Sequence, residues 1–121
     1  MFEWIKGNSY SAVVTFNQSS VTLNSCAAAH FAEVRYVMVG FDKANKTLAI
    51  KPIPKKDIDM NLVPLEQLHK ISIGKGYGRI SNKLIIEEVQ AMIGHEITTL
   101  KTAATFDETE NVLIVNINIL V

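Results

Sequence analysis

The sequence has very little cysteine, which limits the kinds of site that the chain can build. Cys26 is the only cysteine among 121 residues, so an intrachain disulfide and a four-cysteine zinc site are both excluded. A lone thiol is typical of a reducing compartment. The first residues carry Glu3 and Asn8 where a signal peptide needs an apolar run. We therefore expect a cytoplasmic protein.

Long apolar runs and an excess of either charge are also missing. The longest apolar stretch, residues 112–121, is interrupted by Asn116 and Asn118, and it is far shorter than the ~20 residues that cross a bilayer. Twelve basic residues balance twelve acidic ones, so the net charge favours neither nucleic acid nor membrane as a partner. Any such function must depend on local clustering. The length predicts one domain over residues 1–121, with no membrane association.

The chain contains two related segments with the same predicted order of strand, strand, helix, strand and strand. The chain divides into repeat 1 at about 12–52, a linker at 53–69 and repeat 2 at about 70–121. The clearest match places residues 41–50 (FDKANKTLAI) over residues 106–115 (FDETENVLIV) without a gap. Asn24 and Asn82 also correspond, because each stands at the start of a helical stretch.

Local patterns predict two short helices among strands. In residues 82–94 the apolar side chains recur at helical spacing, Asn82 or the preceding serine can cap the first turn, and Gly94 can end the helix. A shorter, alanine-rich helix is predicted at residues 25–32. In the linker, Pro64 can open one helical turn. Residues 1–11 receive no assignment, although Trp4 is expected on the outside of the core.

Two such units predict a mainly β fold with two short helices. A lone pair of hairpins has unpaired strand edges and too small a core, whereas two ββαββ units can interleave their hairpins into one closed sheet. We therefore predict a pseudo-twofold β-barrel. The strong alternation of the C-terminal run requires a partner strand, and if repeat 2 does not supply it, a homodimer through an exposed strand edge should.

The segment GYGRISNKLIIEEVQAMIG, residues 76–94, resembles the AbrB-like swapped-hairpin family. Units of that family begin with a strand and a Gly-Arg-Ile second strand, followed by a helix ending near Leu-Gly and a final hairpin. The resemblance implies a swapped-hairpin barrel, dimeric antitoxin or transition-state regulator relatives, and duplex DNA as the partner. Two features depart from the family: residues 80–83 lack the usual Ile-Pro-Lys, and repeat 1 has no Gly-Arg.

A basic, glycine-rich segment at residues 70–83 is the candidate binding site. It contains no carboxylate, and Tyr77 offers a ring for stacking or a hydroxyl for phosphate. If the strand is continuous, Lys75, Tyr77 and Arg79 share one face, and if the chain turns at Gly76 and Tyr77, they surround a hairpin tip. A solvated glycine-rich turn without a ligand is the alternative. The predicted DNA-binding residues are Lys70, Lys75, Tyr77, Arg79 and Lys83.

Other chemistry has weaker support in the sequence. Cys26 and His30 stand four residues apart, but no further ligand or orienting acid occurs at a telling spacing. Lys51, Lys55 and Lys56 could extend a basic surface, although the aspartates that follow favour a mixed-charge linker. We predict no catalytic residue, no metal, no cofactor and no small-molecule ligand.

Two functions therefore remain open. The first is a non-enzymatic, DNA-binding transcriptional regulator with tandem AbrB-like halves. The second is a protein-interaction or oligomerisation module that kept the barrel and lost DNA binding, which the neutral charge and the apolar C-terminus favour.

Overall fold

A computed structural model describes residues 1–2 and 12–117 of the chain. The expectation for Trp4 and the last part of the C-terminal run, residues 118–121, lie outside the described residues. The described residues form nine strands: β1 Val13–Asn17, β2 Ser20–Asn24, β3 Tyr36–Asp42, β4 Thr47–Ile53, β5 Leu68–Lys70, β6 Ser72–Gly74, β7 Tyr77–Ser81, β8 Thr99–Asp107 and β9 Val112–Asn116. Three short α-helices accompany them: α1 Ser25–Ala28, α2 Lys55–Asp59 and α3 Lys83–Ile93.

All nine strands belong to one antiparallel, nearly closed sheet. Their order is β5-β3-β4-β9-β8-β1-β2-β7-β6. The two strands at its ends, β5 and β6, are consecutive in the chain and are separated only by Ile71. Ile71 is buried, and its N–H donates to the Arg35 carbonyl oxygen at 3.0 Å. The prediction of a mainly β, barrel-like fold is thus confirmed, and the chain itself links the two sides of the seam.

Around the sheet, pairs of neighbouring strands from before residues 53–69 alternate with pairs from after them. Strand β4 pairs with β9, placing Ile50 opposite Leu113, and β2 pairs with β7, placing Val21 opposite Ile80. These four side chains are at most 1% exposed. Burying aliphatic side chains of this size stabilises the folded state by roughly 1.5–3 kcal/mol each. The core therefore draws on both parts of the chain.

The C-terminal strand finds its partners within the same chain. β9 lies between β4 and β8 and is hydrogen-bonded on both sides. Among the described residues, the end strands of the sheet are β5 and β6, which are three residues long each, and β5 pairs with β3 only over residues 36–38. The homodimer therefore stays a prediction, without support from an open edge at β9.

The two predicted helices begin, and the second one ends, where the sequence predicts. Asn24 Oδ1 accepts the Ala27 N–H at 3.0 Å at the start of α1, and Asn82 Oδ1 accepts the Leu84 N–H at 2.8 Å at the start of α3. Gly94 ends α3 with a φ of 82°, the left-handed conformation that favours glycine. In the described residues, no helix has the combination of length and apolar character that crossing a membrane requires.

The linker and the first helix differ from the prediction. The prediction of two helices is wrong in number, because a third helix, α2, lies inside residues 53–69. This helix buries none of its side chains. Its sequence KKDID therefore has no buried apolar face to signal a helix. Pro64 precedes the expected helical turn, a 3₁₀ turn at Leu65–Gln67. The first helix is shorter than residues 25–32, because the chain tightens into a 3₁₀ turn at Ala29–Phe31.

Two hairpin turns at 42–47 and 107–112 have the same construction. Asp42 Oδ1 accepts the backbone N–H of Asn45 at 3.2 Å, and Asp107 Oδ1 accepts the N–H groups two and three residues later at 3.0 and 3.2 Å. Each turn ends on a residue of positive φ, Lys46 at 51° and Asn111 at 56°. The hydrogen bond from the Asn45 side chain lowers the pKa of Asp42, helped by backbone donors.

Candidate nucleic-acid interface

The basic segment forms a two-residue hairpin between β6 and β7. Gly74 pairs with Tyr77, so Lys75 and Gly76 form the turn, and Gly76 has a φ of 74°. The continuous-strand arrangement is therefore wrong, and the turn lies one residue earlier than the alternative placed it. Lys75 stands at the tip, whereas Tyr77 and Arg79 belong to the strand that follows.

Strand β7 points alternate side chains to opposite sides of the sheet. Tyr77 and Arg79 are exposed, whereas Gly78 and Ile80 are buried. A Cβ on Gly78 would lie 3.5 Å from the Ala28 Cβ, so α1 packs closely against the inner side of this strand. This packing fixes the orientation of β7 and directs Tyr77 and Arg79 outward.

Arg79 belongs to a row of polar side chains that crosses five strands. The register places Arg79 opposite Thr22 and Ser72, and Thr15 opposite Thr22 and Lys101. Because directly opposite residues share one side of a sheet, the order across the outer side is Lys101, Thr15, Thr22, Arg79 and Ser72. All five are exposed or half-buried.

We call this surface the basic face. It is defined by seven of the outward residues of β8, β1, β2, β7 and β6: Thr15, Thr22, Ser72, Tyr77, Arg79, Ser81 and Lys101. The five paired segments, 13–17, 20–24, 72–74, 77–81 and 99–103, contain no aspartate or glutamate. Their hydroxyls and cations are donors of the kind that contact phosphate oxygens. The arrangement suits a polyanion.

A shallow depression lies at the seam of the sheet, beside the basic face. It has a volume of about 290 Å³ and is lined by Leu68, His69, Lys70, Ser72, Arg79, Ser81 and Asn82. The predicted site residues Lys70 and Arg79 are thus brought together here, although they come from strands β5 and β7. Lys70 is exposed. Two cations and two serine hydroxyls can converge on one anionic group at this position.

One wall of the seam depression is held by a pair of side chains. Asn82 Oδ1 is committed to the Leu84 N–H, so its Nδ2 faces His69 Nδ1, 2.8 Å away. The amide nitrogen can only donate, which assigns Nδ1 of His69 as an unprotonated acceptor. Partial burial lowers the pKa of His69, because desolvation disfavours its charged form. Both the contact and the burial therefore favour the neutral form of His69.

The remaining cations take different positions. Lys83 is exposed on the first turn of α3 and is not part of the lining of the seam depression. Lys51 Nζ donates to the Glu110 carbonyl oxygen at 2.9 Å, which ties it to the acidic β8–β9 turn. Lys55 lies on α2 with Asp59 and Glu33 around the same surface hollow. Lys51 and Lys55 therefore lie near acidic residues, as the mixed-charge interpretation predicts.

Cys26 and His30 do not form a recognisable reactive pair. The His30 ring stacks on Phe106, with 3.9 Å between ring centroids and 3° between ring planes. Cys26 is half-buried on α1. Over residues 1–2 and 12–117, no three histidine, cysteine or acidic side chains gather as a metal would require. His30 therefore serves to pack the short 3₁₀ turn against β8.

Sequence reasoning missed most of the basic face outside residues 70–83. Lys101, Thr15 and Thr22 join it only through the pairing of β1 with β8 and of β2 with β7. Alternation along β1 and β2 could have identified the two threonines as outward residues. Nothing local could have placed Lys101 in the same row, because that depends on register between distant strands.

Comparison with known proteins identifies no relative from which a function could be transferred. No protein-family model, no curated protein and no solved structure matches the chain.

Proposed function

We propose that this protein is a non-enzymatic, DNA-binding protein of the transcription-regulator type, which holds DNA phosphates on its basic face. The observation that carries the proposal is the row from Lys101 to Arg79, with Thr15 and Thr22 between them, in paired strand segments that contain no carboxylate. Three strand spacings separate the two cations, or roughly 14 Å between their backbones. Threonine hydroxyls and basic side chains are common phosphate contacts.

Local clustering compensates for the neutral total charge. The carboxylates of the hairpin turns, Asp42 and Asp107, lie at the far ends of β3 and β8 from the segments that form the basic face. Lys75 at the β6–β7 tip and Lys70 at the seam add two cations at its border. A polyanion approaching from this side meets mainly donors, even though the whole chain is neutral.

We further propose that the two repeats are copies of one AbrB-like ββαββ unit. If β1 to β4 correspond to β6 to β9, two of the three pairings between these strands that join the halves, β2 with β7 and β4 with β9, connect counterparts, and the third joins β1 to β8. The β3–β4 hairpin matches β8–β9, and β1–β2 matches β6–β7. In an exact duplication, the counterpart of the β1–β8 pairing would be β6 with β3. Here β3 pairs instead with β5, the strand that comes just before β6 in the chain.

Details of the local structure also support the duplication. Asn24 and Asn82 cap corresponding helices. Asp42 and Asp107 accept backbone N–H groups in corresponding turns. Each of these two turns also ends on a residue of positive φ.

The proposed function is tested by fluorescence anisotropy with labelled duplex DNA across a salt series. The unmodified protein should bind at low salt and lose affinity as salt rises. Each of Arg79→Ala and Lys101→Ala should reduce the slope of log K against log salt by about 1. Lys55→Ala is the matched control, because this lysine lies beside Asp59 and Glu33. Absence of binding at low salt would exclude the proposal.

A second candidate function is a protein-interaction or oligomerisation module. Met60, Leu62 and Leu65 are 66%, 64% and 63% exposed, close together in the segment after α2. Exposed apolar clusters of this kind mark contacts between proteins. Sedimentation equilibrium would test it: a dimer that dissociates on Met60→Ser with Leu62→Ser and ignores DNA favours this function over the first.

A further inference from the structure

The ring of Tyr77 lies over the backbone of the neighbouring strand. A Cβ placed on Gly74 would lie 2.5 Å from Tyr77 Cε1, 2.7 Å from Cζ and 2.9 Å from the hydroxyl oxygen. Gly74 is the residue directly opposite Tyr77 in the ladder. Only glycine leaves room for the ring at this position. One side of the ring therefore rests on β6, while the side chain remains 45% exposed to solvent.

Cations flank this ring on the surface of the sheet. Arg79 lies two residues along β7 on the same outward side, and Lys75 is in the adjoining turn. Both are exposed. An aromatic ring with a free face and neighbouring cations is the combination that binds unpaired nucleotides, because the base stacks while the cations hold the phosphates.

The same hairpin is poorly shaped for reading a duplex. Every residue of β7, from Tyr77 to Ser81, is paired with β2, so β7 does not project as a free ribbon. Only Lys75 and Gly76 extend beyond the paired strands. The major groove is about 8.5 Å deep, and side chains on a broad sheet surface do not reach base edges within it. A duplex would therefore contact this surface through its phosphates alone.

We infer that Tyr77 is a stacking platform for an unpaired nucleobase and that the basic face consequently prefers single-stranded to duplex DNA. This inference rests on the proposed DNA-binding function and names the form of DNA that the site recognises. The preference comes from the ring, because both forms of DNA present phosphates to Arg79 and Lys101 whereas only the single strand presents free base faces.

The test compares a labelled oligothymidylate with a duplex of equal length at one salt concentration. The unmodified protein should bind the single strand about tenfold more tightly. Tyr77→Phe should keep that ratio, since the aromatic face remains, and Tyr77→Leu should bring it to about one with little change in duplex affinity. Tyr36→Leu is the control, because Tyr36 is 39% exposed but lies beside Glu33 and Asp59.

A second measurement reports stacking directly. A single strand containing 2-aminopurine should lose fluorescence on binding to the unmodified protein and to Tyr77→Phe, and keep it with Tyr77→Leu. Equal affinity for both forms of DNA, with Tyr77→Leu unchanged, would overturn the inference and leave the proposed function standing. Failure of both forms to bind at low salt would overturn the proposed function itself.

Discussion

Asn82 connects the start of helix α3 to the seam of the barrel through His69. The Asn82 Nδ2 lies 2.8 Å from His69 Nδ1, while Oδ1 of the same amide caps the helix at the Leu84 N–H. One side chain therefore serves two structural elements. Because the amide orientation is fixed by the cap, protonation of Nδ1 would place a donor against a donor.

We expect the stability of the fold to fall in mild acid because of His69. Its pKa is lowered in the folded state, so the unfolded chain takes up a proton near the ordinary value of 6.5 before the folded one does. The contribution of His69 is fully present above that pH and decreases as the pH falls toward the lowered pKa. Urea unfolding of the protein and of His69→Gln, compared between pH 5 and pH 8, measures it.

The difference in the free energy of unfolding between the unmodified protein and His69→Gln reports on His69 alone, because the other histidines, His30 and His95, are present in both proteins. The advantage of the unmodified protein should shrink as the pH is lowered. A difference in the free energy of unfolding that stays constant with pH would contradict the assignment of Nδ1 as a neutral acceptor.

Substitutions of Asn82 should separate its two roles. Asn82→Ala removes the cap and should cost about 1 kcal/mol in the free energy of unfolding. Asn82→Asp keeps an oxygen for the Leu84 N–H but places a carboxylate beside His69. That charge should raise the pKa of His69, which a proton NMR titration of the imidazole signals would record. A lower pKa in Asn82→Asp would be inconsistent with the pairing.

Gly76, in the β6–β7 turn, should be costly to replace. Its φ is 74°, so Gly76→Ala should cost about 1–2 kcal/mol in the free energy of unfolding. Gly40→Ala is the control, because Gly40 has negative φ and a Cβ there would meet no atom within 4 Å. Thermal or urea unfolding measures both. Equal effects of the two substitutions would contradict the two-residue turn.

The pairing of Ile50 with Leu113 should make the whole sheet unfold as one unit. Both side chains are buried, and they come from β4 and β9, on opposite sides of the linker. Leu113→Ala should lower the free energy of unfolding by roughly 2–5 kcal/mol. Far-UV circular dichroism and near-UV absorbance should follow one coincident transition in both proteins. Two separate transitions would indicate independent halves.

The order of elements could be predicted from the sequence because it depends on local chemistry. Asn82 and Gly94 predicted the ends of α3. The interleaved, barrel-like sheet followed from the need to pair strand edges. The helix α2 was missed because its residues bury no side chain, so it leaves no hydrophobic periodicity.

The candidate site could be predicted only in part, for a different physical reason. Lys70, Lys75, Tyr77 and Arg79 are near one another in the chain, and glycine spacing drew attention to them. Lys101 reaches the same row through β1 and β2. Likewise, the contact of the Tyr77 ring with Gly74 depends on the position of the turn in the sequence. Composition cannot predict this contact, because the turn can shift by one residue without any change in composition.

The single-residue link between β5 and β6 has a consequence for how the chain folds. The strands that must find each other over the longest sequence separations are β1 with β8, followed by β4 with β9 and β2 with β7. Once those have met, the two rims of the seam are already tethered through Ile71, so completing the ring costs almost no extra loop entropy. Lengthening the chain at Ile71 should therefore slow the last step of folding and leave the unpaired edges of β5 and β6 exposed to neighbouring molecules.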